Sequence, residues 1–170
     1  MYIPMDKENP PITIDWKWHS FDELSTAELH SVLKLRQEIF VVEQNCAYLD
    51  CDGMDKKAWH LMGILSNTAQ LELVAYLRVI YPGVKTNRPA IGRLLTHGRM
   101  RKRGLGRQLL RQGIIHTNRT YPDYPIQVSA QLYLQPFYKS FGFFPVSEPY
   151  DEDGITHIDM TLPPRREQPY

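Results

Sequence analysis

The sequence predicts a mixed α/β fold in a single domain, of the α+β kind in which neighbouring strands pair as antiparallel hairpins. Three observations lead there. Apolar runs rich in strand formers, Ala58 to Leu65 and Leu71 to Ile80 above all, are separated by turn residues rather than by helices. Two other stretches carry apolar residues at helical spacing, one of them behind a capping box. At 170 residues, 42% hydrophobic and 23% charged, the chain can bury one core of ordinary size and has a globular composition.

Taken in order, residues 1–12 contain Pro4, Pro10 and Pro11 and read as a loose leader to a domain spanning 13–162. Thr13 to Trp18 is a short strand. Ser25 with Glu28 makes a capping box, and Leu29, Val32, Leu33 and Ile39 follow on one helical face. Ser20 with Glu23 is a second candidate box with no apolar stripe directly behind it. Glu43 to Lys57 is polar and reads as loop. Ala58 to Leu65 and Leu71 to Ile80 form a hairpin across a Ser-Asn-Thr turn, and Pro89 to Leu95 is the next strand. Leu105, Leu109 and Gly113, with Leu110 and Ile114 beside them, define a helix that the region of Pro122 and Pro125 ends. Ile126 to Ala130 is a strand, Leu132 to Ser140 a short helix, and Phe143 to Val146 with Ile155 to Met160 the closing strands. Residues 163–170 read as a frayed tail.

No apolar run approaches the ~20 residues that span a bilayer, and the N-terminal stretch lacks a signal-peptide core, so a cytoplasmic protein without a membrane partner is expected. Cys46 and Cys51 are too few for a disulfide scaffold. The formal net charge is +1, but residues 1–60 sum to −5, residues 61–120 to +10 and residues 121–170 to −4. The basic middle third is therefore where an anion would bind.

That third contains Leu94-Leu95-Thr96-His97-Gly98-Arg99-Met100-Arg101-Lys102-Arg103-Gly104-Leu105-Gly106-Arg107, which runs strand, glycine turn, helix. A helix start offers unpaired N–H groups to phosphate oxygens, and glycine removes the Cβ that would hold a pyrophosphate away. A dinucleotide fingerprint would need glycine where Leu109 stands, and no P-loop pattern occurs. The pattern present is R-x-x-G-x-G, at Arg101, Gly104 and Gly106. About thirty residues after Gly106, past a further strand, comes Phe137-Tyr138-Lys139-Ser140-Phe141-Gly142-Phe143.

Together these two segments resemble the GNAT superfamily of N-acetyltransferases, over roughly Leu24 to Leu162. Phe40-Val41-Val42-Glu43-Gln44-Asn45-Cys46, then Tyr48, Asp50, Asp52, Gly53, Asp55 and His60, and the late Tyr150-Asp151-Glu152-Asp153-Gly154-Ile155 with His157, resemble its ElaA subfamily. The resemblance implies a mixed, mostly antiparallel sheet flanked by helices, with acetyl-CoA as co-substrate wedged between splayed central strands. It implies pyrophosphate on the amides of Arg101, Lys102, Arg103, Gly104, Leu105, Gly106 and Arg107, pantetheine along Leu94, Leu95 and Thr96, and Tyr138 as general acid. Gln131 stands where the family most often has asparagine.

Acetyl transfer to an amine needs a base, because an ammonium of pKa ~10.4 is not a nucleophile at neutral pH. Glu43 and His60 are the candidates, with His157 behind them, and a backbone N–H of Leu95 or a neighbour is the candidate oxyanion donor. Each has a bland alternative: Tyr138 as core aromatic, Glu43 as loop packing, His60 as a satisfied strand histidine. Asp50, Asp52 and Asp55 either line the acceptor pocket, which favours a cationic acceptor, or form a solvated loop. Their spacing is not that of an EF-hand, and Cys46, Cys51 and His60 match no standard zinc site, so no metal is expected. The basic run Arg99, Arg101, Lys102, Arg103, Arg107, Arg111 could face nucleic acid, but no aromatic platform interleaves it and the flanking segments are acidic, so no nucleic-acid partner is expected. A non-catalytic acyl-CoA sensor is a further alternative, and a homodimer is left open.

Overall fold

The computed structural model describes residues 13–66 and 70–164. The expected leader at 1–12, and all of the expected tail beyond residues 163 and 164, lie outside that range.

The strand opening the described chain, β1 (Ile14–Ser20), runs two residues past its expected end. The Ser20–Glu23 box caps a single 3-10 turn, Phe21–Glu23, and no helix. The box at Ser25 does start a helix, α1 (Thr26–Arg36): Ser25 Oγ accepts the Glu28 N–H at 3.2 Å, and Glu28 accepts the Ser25 N–H at 2.9 Å. Glu28 also takes Lys17 Nζ from β1 at 2.8 Å, tying α1 to the sheet edge. The helix then loosens into a π turn, Gln37–Glu43. Strands β2 (Ala58–Leu65), β3 (Leu73–Ile80) and β4 (Ala90–Thr96) follow, then α2 (Leu105–Thr120), β5 (Ile126–Gln131), α3 (Gln135–Lys139), β6 (Phe144–Pro145), β7 (Tyr150–Glu152) and β8 (Ile155–Leu162).

The eight strands form one sheet in the order β1-β2-β3-β4-β5-β8-β6, with β7 also paired to β8. Pairing is antiparallel except between β4 and β5, which run parallel. On one face α2 and α3 pack Leu105, Leu109, Leu110 and Tyr138 onto Leu77, Ile91, Val128, Ala130 and Met160. On the other, α1 and the π turn pack Val32, Leu35 and Ile39 onto Met62, Leu73, Tyr76 and Leu95. Strand β3 is buried along its whole length, as a central strand covered on both faces must be. The axis of α2 lies close over it because position 113 is glycine: a Cβ there would stand 2.6 Å from a Leu77 methyl.

One strand was not expected. Asp153 (φ +52°) and Gly154 (φ +80°) are both left-handed, which makes a two-residue hairpin turn between β7 and β8.

Candidate active site

Strands β4 and β5 pair only at Ala90 with Gln127 and Ile91 with Val128, and from Gly92 and Ser129 onward they diverge. The divergence starts where β4 is bulged. Tyr76 faces Leu95 and Arg78 faces Gly92, so Leu77 alone opposes both Arg93 and Leu94. Arg93 adopts φ +53°, a left-handed conformation costly for a side chain that is not glycine, and an extra residue of this kind bends a strand and sharpens its twist. The result is a fork, open toward the C-terminal ends of both strands, with Gly92 and Ser129 at its crotch.

Along the β4 edge of the fork the backbone alternates. His97 donates its N–H to Val74 O at 2.9 Å, so the N–H of Leu95 also points to β3, whereas that of Thr96 points to the free edge. This corrects the expectation for Leu95, whose amide is spent within the sheet and cannot serve as an oxyanion donor. Its side chain is buried against α1, while Leu94 packs toward α2.

The glycine turn stands at the mouth of the fork. Lys102 (φ +60°) and Gly104 (φ +75°) are left-handed, and Gly104 caps α2. Arg101 donates its N–H to Gly98 O at 3.2 Å and Arg107 donates its own to Gly104 O at 3.1 Å. The amides of Lys102, Arg103, Gly104, Leu105 and Gly106 have no backbone acceptor among the described residues, so of the span from Arg101 to Arg107 these five are free to receive an anion. A Cβ on Gly104 or Gly106 would meet nothing within 4 Å, so the space above the turn is open. The Arg107 side chain is engaged elsewhere: it donates to Ser140 Oγ at 3.0 Å and lies 4.8 Å above the Phe141 ring, which locks α2 to the end of α3.

Tyr138, on α3, is 5% exposed and packs edge-on against Phe137 and Phe143 on the α2 side of the sheet. Burial pushes its phenol ionisation well up, so it stays protonated through neutral and mildly alkaline pH. Gln131 ends β5 opposite His157 on β8. Glu43 lies at the mouth of the fork, where its carboxylate pairs with Arg101 at 2.6 Å, both side chains being half exposed.

The acidic loop neither lines an open pocket nor dissolves in solvent. Asp50, Asp52 and Asp55 are ion-paired with Arg36, Arg78 and Arg93, a set whose formal charges cancel. Arg36 reaches Asp50 at 2.8 Å and Asp55 at 2.7 Å, and Arg78 reaches Asp52 at 2.7 Å and Asp55 at 2.8 Å. Arg93 reaches Asp50 at 2.7 Å and Asp52 at 3.2 Å from the bulge itself. The Arg36 and Arg78 side chains are 0% and 2% exposed. Burial works against the Asp52 charge, but the hydrogen bonds from Arg78 and the Met54 N–H outweigh it and bring the carboxyl down to about 2. These carboxylates are therefore unavailable to a cationic acceptor.

His60 is corrected too. It is fully buried, with Nε2 2.9 Å from Asp55 O and Nδ1 2.8 Å from the Tyr76 hydroxyl. A carbonyl can only accept, so Nε2 carries the proton and Nδ1 accepts from Tyr76. Burial lowers its pKa further, and with both nitrogens engaged it has no lone pair to offer as a base or to a metal. Nor, among the described residues, do Cys46 and Cys51 join any group of three potential metal ligands.

On the face of β5 opposite Val128 and Ala130, a polar chain runs from the crotch of the fork. Ser129 Oγ is hydrogen-bonded to the Tyr150 hydroxyl, which also lies 3.0 Å from Asp159 Oδ1. Ser129 and Asp159 are direct partners across β5 and β8, and Tyr150 comes from β7. The His157 ring stacks on Tyr150 with centroids 6.2 Å apart. Sequence reading missed this chain, and the arginine partners of the loop, although Arg78 within an otherwise uncharged strand and the Asp-Gly pair at 153–154 were available signals.

A forked sheet with a free-amide turn at its mouth defines the class: an acyltransferase that takes its acyl group from a coenzyme A thioester. A family model described as the acetyltransferase (GNAT) domain matches residues 62–163, and the chain belongs to this family. Its relatives place it with the ElaA-like members. It is 46% identical over 147 residues to a UPF0039 protein of Synechocystis, covering 86% of this chain and 94% of that one. It is 40% identical over 149 residues to protein ElaA of Escherichia coli, covering 86% and 95%, and the ElaA crystal structure superposes with a TM-score of 0.81. An acyl-CoA N-acyltransferase from Pseudomonas aeruginosa superposes with a TM-score of 0.82 at 38% identity, covering 88% of this chain and 99% of that one. Among the described residues no helix is long and apolar enough to cross a membrane.

Proposed function

We propose that the protein transfers the acetyl group of acetyl-CoA to an amine by direct attack in a ternary complex, with no acyl-enzyme. The observation that carries this reading is the fork itself: an open strand edge leading from five free amides to a crotch beside the β4 bulge. The coenzyme pyrophosphate lies on the amides of Lys102 to Gly106, helped by the exposed side chains of Lys102 and Arg103. Its pantetheine arm adds to the free edge of β4 at Leu94 to Thr96, with Gln131 across the gap on β5. This sets the thioester at the crotch.

Tyr138 faces the thioester from the α2 side and donates a hydrogen bond to the departing sulfur. Because burial holds its proton tightly, Tyr138 releases it only as the nitrogen of the collapsing intermediate supplies another. Glu43 is placed at the phosphate end, where it meets Arg101, and His60 is a structural residue beneath the loop. Neither cysteine takes part.

Thermal stability with and without acetyl-CoA is the test. A ligand at a hundred times its dissociation constant adds about 2.7 kcal/mol, a readily measured shift. No shift at saturating acetyl-CoA would remove the reading. Tyr138→Phe should then lower kcat while leaving that shift intact.

A further inference from the structure

We propose that Ser129, Tyr150 and Asp159 form the relay that takes the proton from the acceptor amine, with Ser129 Oγ as its point of contact. The inference rests on the acetyltransferase reading above and supplies the base that Glu43 and His60 do not.

Three observations carry it. The first is position. Ser129 is the first β5 residue past the last β4–β5 pair, so it stands at the crotch where that reading puts the thioester. Val128 and Ala130 point into the core shared with Tyr138, and alternation along the strand turns Ser129 to the opposite face. The amine thus approaches the carbonyl from one side of the sheet while the sulfur leaves toward the other.

The second is direction. Asp159 as a carboxylate can only accept, so the Tyr150 hydroxyl, 3.0 Å from it, is the donor. Tyr150 then accepts from Ser129, whose own hydrogen is committed along the chain. What Ser129 presents to the fork is lone-pair density, the complement of an ammonium N–H.

The third is charge. Asp159 has no ion-pair partner among the described residues, unlike Asp50, Asp52, Asp55 and Glu43. The titratable groups around it are Tyr150 on β7, His157 two residues back on β8 and Glu152, which lies 3.8 Å from His157. Arg88 reaches only Thr161 Oγ1, at 3.4 Å, two residues further along. The β7–β8 hairpin adds Asp151 on β7 and Asp153 in the turn, both exposed, so an incoming ammonium meets a negative rim.

The proton balance closes. The ammonium gives one proton to Ser129 Oγ as the serine proton passes to Tyr150 and the tyrosine proton to Asp159. The freed amine attacks the thioester carbon and the C–N bond forms. The C–S bond then breaks, the second nitrogen proton reaches the thiolate by way of Tyr138, and Asp159 releases its proton to water. One amide, one thiol and one proton result.

The test compares two acceptors on the full chain: 1,4-diaminobutane, charged at neutral pH, and hydroxylamine, whose nitrogen is neutral there and needs no base. Asp159→Asn and Tyr150→Phe should lower kcat/KM for the diamine about 100-fold. With hydroxylamine they should stay within about threefold of wild type, a general base contributing little to an acceptor that is already neutral. The diamine rate should recover as pH rises toward the amine's own ionisation. Ser129→Ala should behave like them, and Ser129→Thr, which keeps the hydroxyl, should retain activity. Equal losses with both acceptors, or turnover of hydroxylamine but not of the diamine by wild type, would overturn the relay. Either result leaves the acetyltransferase reading standing, since that reading falls only if acetyl-CoA fails to bind or no acceptor is acetylated.

Discussion

Asp55→Ala should be among the most destabilising single substitutions in this chain, although sequence alone makes Asp55 look like a loop residue. Its Oδ1 accepts from two guanidinium groups, Arg36 at 2.7 Å and Arg78 at 2.8 Å, both essentially without solvent. A hydrogen bond to a charged group is worth about 1.5–3 kcal/mol, and removing one partner of a buried ionic cluster costs about 3–5 kcal/mol because charge is stranded. Three aspartates would then become two against three arginines, so the remaining carboxylates cannot restore neutrality. For a domain of this size each kcal/mol is worth roughly 2–4 °C, giving a fall in Tm of roughly 6–20 °C. Thermal unfolding of the full chain at pH 7, followed by calorimetry or circular dichroism, reads this directly. Asp15→Ala, at an exposed position of β1, is the control and should stay within about 0.5 kcal/mol. A Tm for Asp55→Ala within about 2 °C of wild type would refute the cluster as a structural element and return the loop carboxylates to the acceptor.

Acid should unfold the protein between about pH 4 and pH 2. Burial opposes ionisation of Glu28, but the Lys17 and Ser25 hydrogen bonds prevail and hold it at about 2, and Asp52 is likewise held at about 2. Unfolded carboxylates titrate near ~4, so the unfolded state binds more protons in that window; stability is complete above it and lost as pH falls through the folded values, which far-UV circular dichroism against pH would follow. Gly106→Ala should separate folding from binding. Its Cβ meets nothing within 4 Å, and alanine favours the helix by up to about 1 kcal/mol, so Tm should hold or rise while calorimetry shows acetyl-CoA affinity falling at least tenfold. Glu43→Gln should tighten acetyl-CoA binding a few-fold, by about 0.5–1 kcal/mol, because Arg101 is released to the phosphates. A loss of about 100-fold in kcat would instead make Glu43 the base.

How much of this was legible in the sequence depends on whether the signal was local. The Ser25 box, the stripe of α2, the glycine turn and the hairpin of β2 and β3 are each written within a few residues, and each forms near its expected bounds. The free amides of that turn were legible for the same reason, since they are a property of one segment. The Asp–Arg cluster was not. It joins positions 36, 78 and 93 to 50, 52 and 55 across a helix, two strands and a loop, and no periodicity encodes which arginine meets which aspartate. His60 misled because its partners, Tyr76 and the Asp55 carbonyl, come from elsewhere in the chain. The relay was hidden for a plainer reason, since β7 is only three residues long and its strand pairing carries Tyr150 to Ser129.

The buried cluster and the fork are one device. The bulge that bends β4 needs Arg93 at φ +53°, a conformation that costs a residue other than glycine about 1–3 kcal/mol. Glycine at that position would relieve the strain, but it would leave Asp50 and Asp52 without one of their cations. Arginine accepts the strain and returns Nε to Asp50 at 2.7 Å and an N–H to Asp50 O at 3.1 Å, with its guanidinium 5.4 Å above the Tyr48 ring. Two such charge-assisted contacts, at about 1.5–3 kcal/mol each, exceed the strain. The loop that carries the aspartates is therefore a buttress. It fixes the bend at Arg93, the bend parts β4 from β5, and the parting leaves the edge of β4 free just where Ser129 begins the unpaired part of β5.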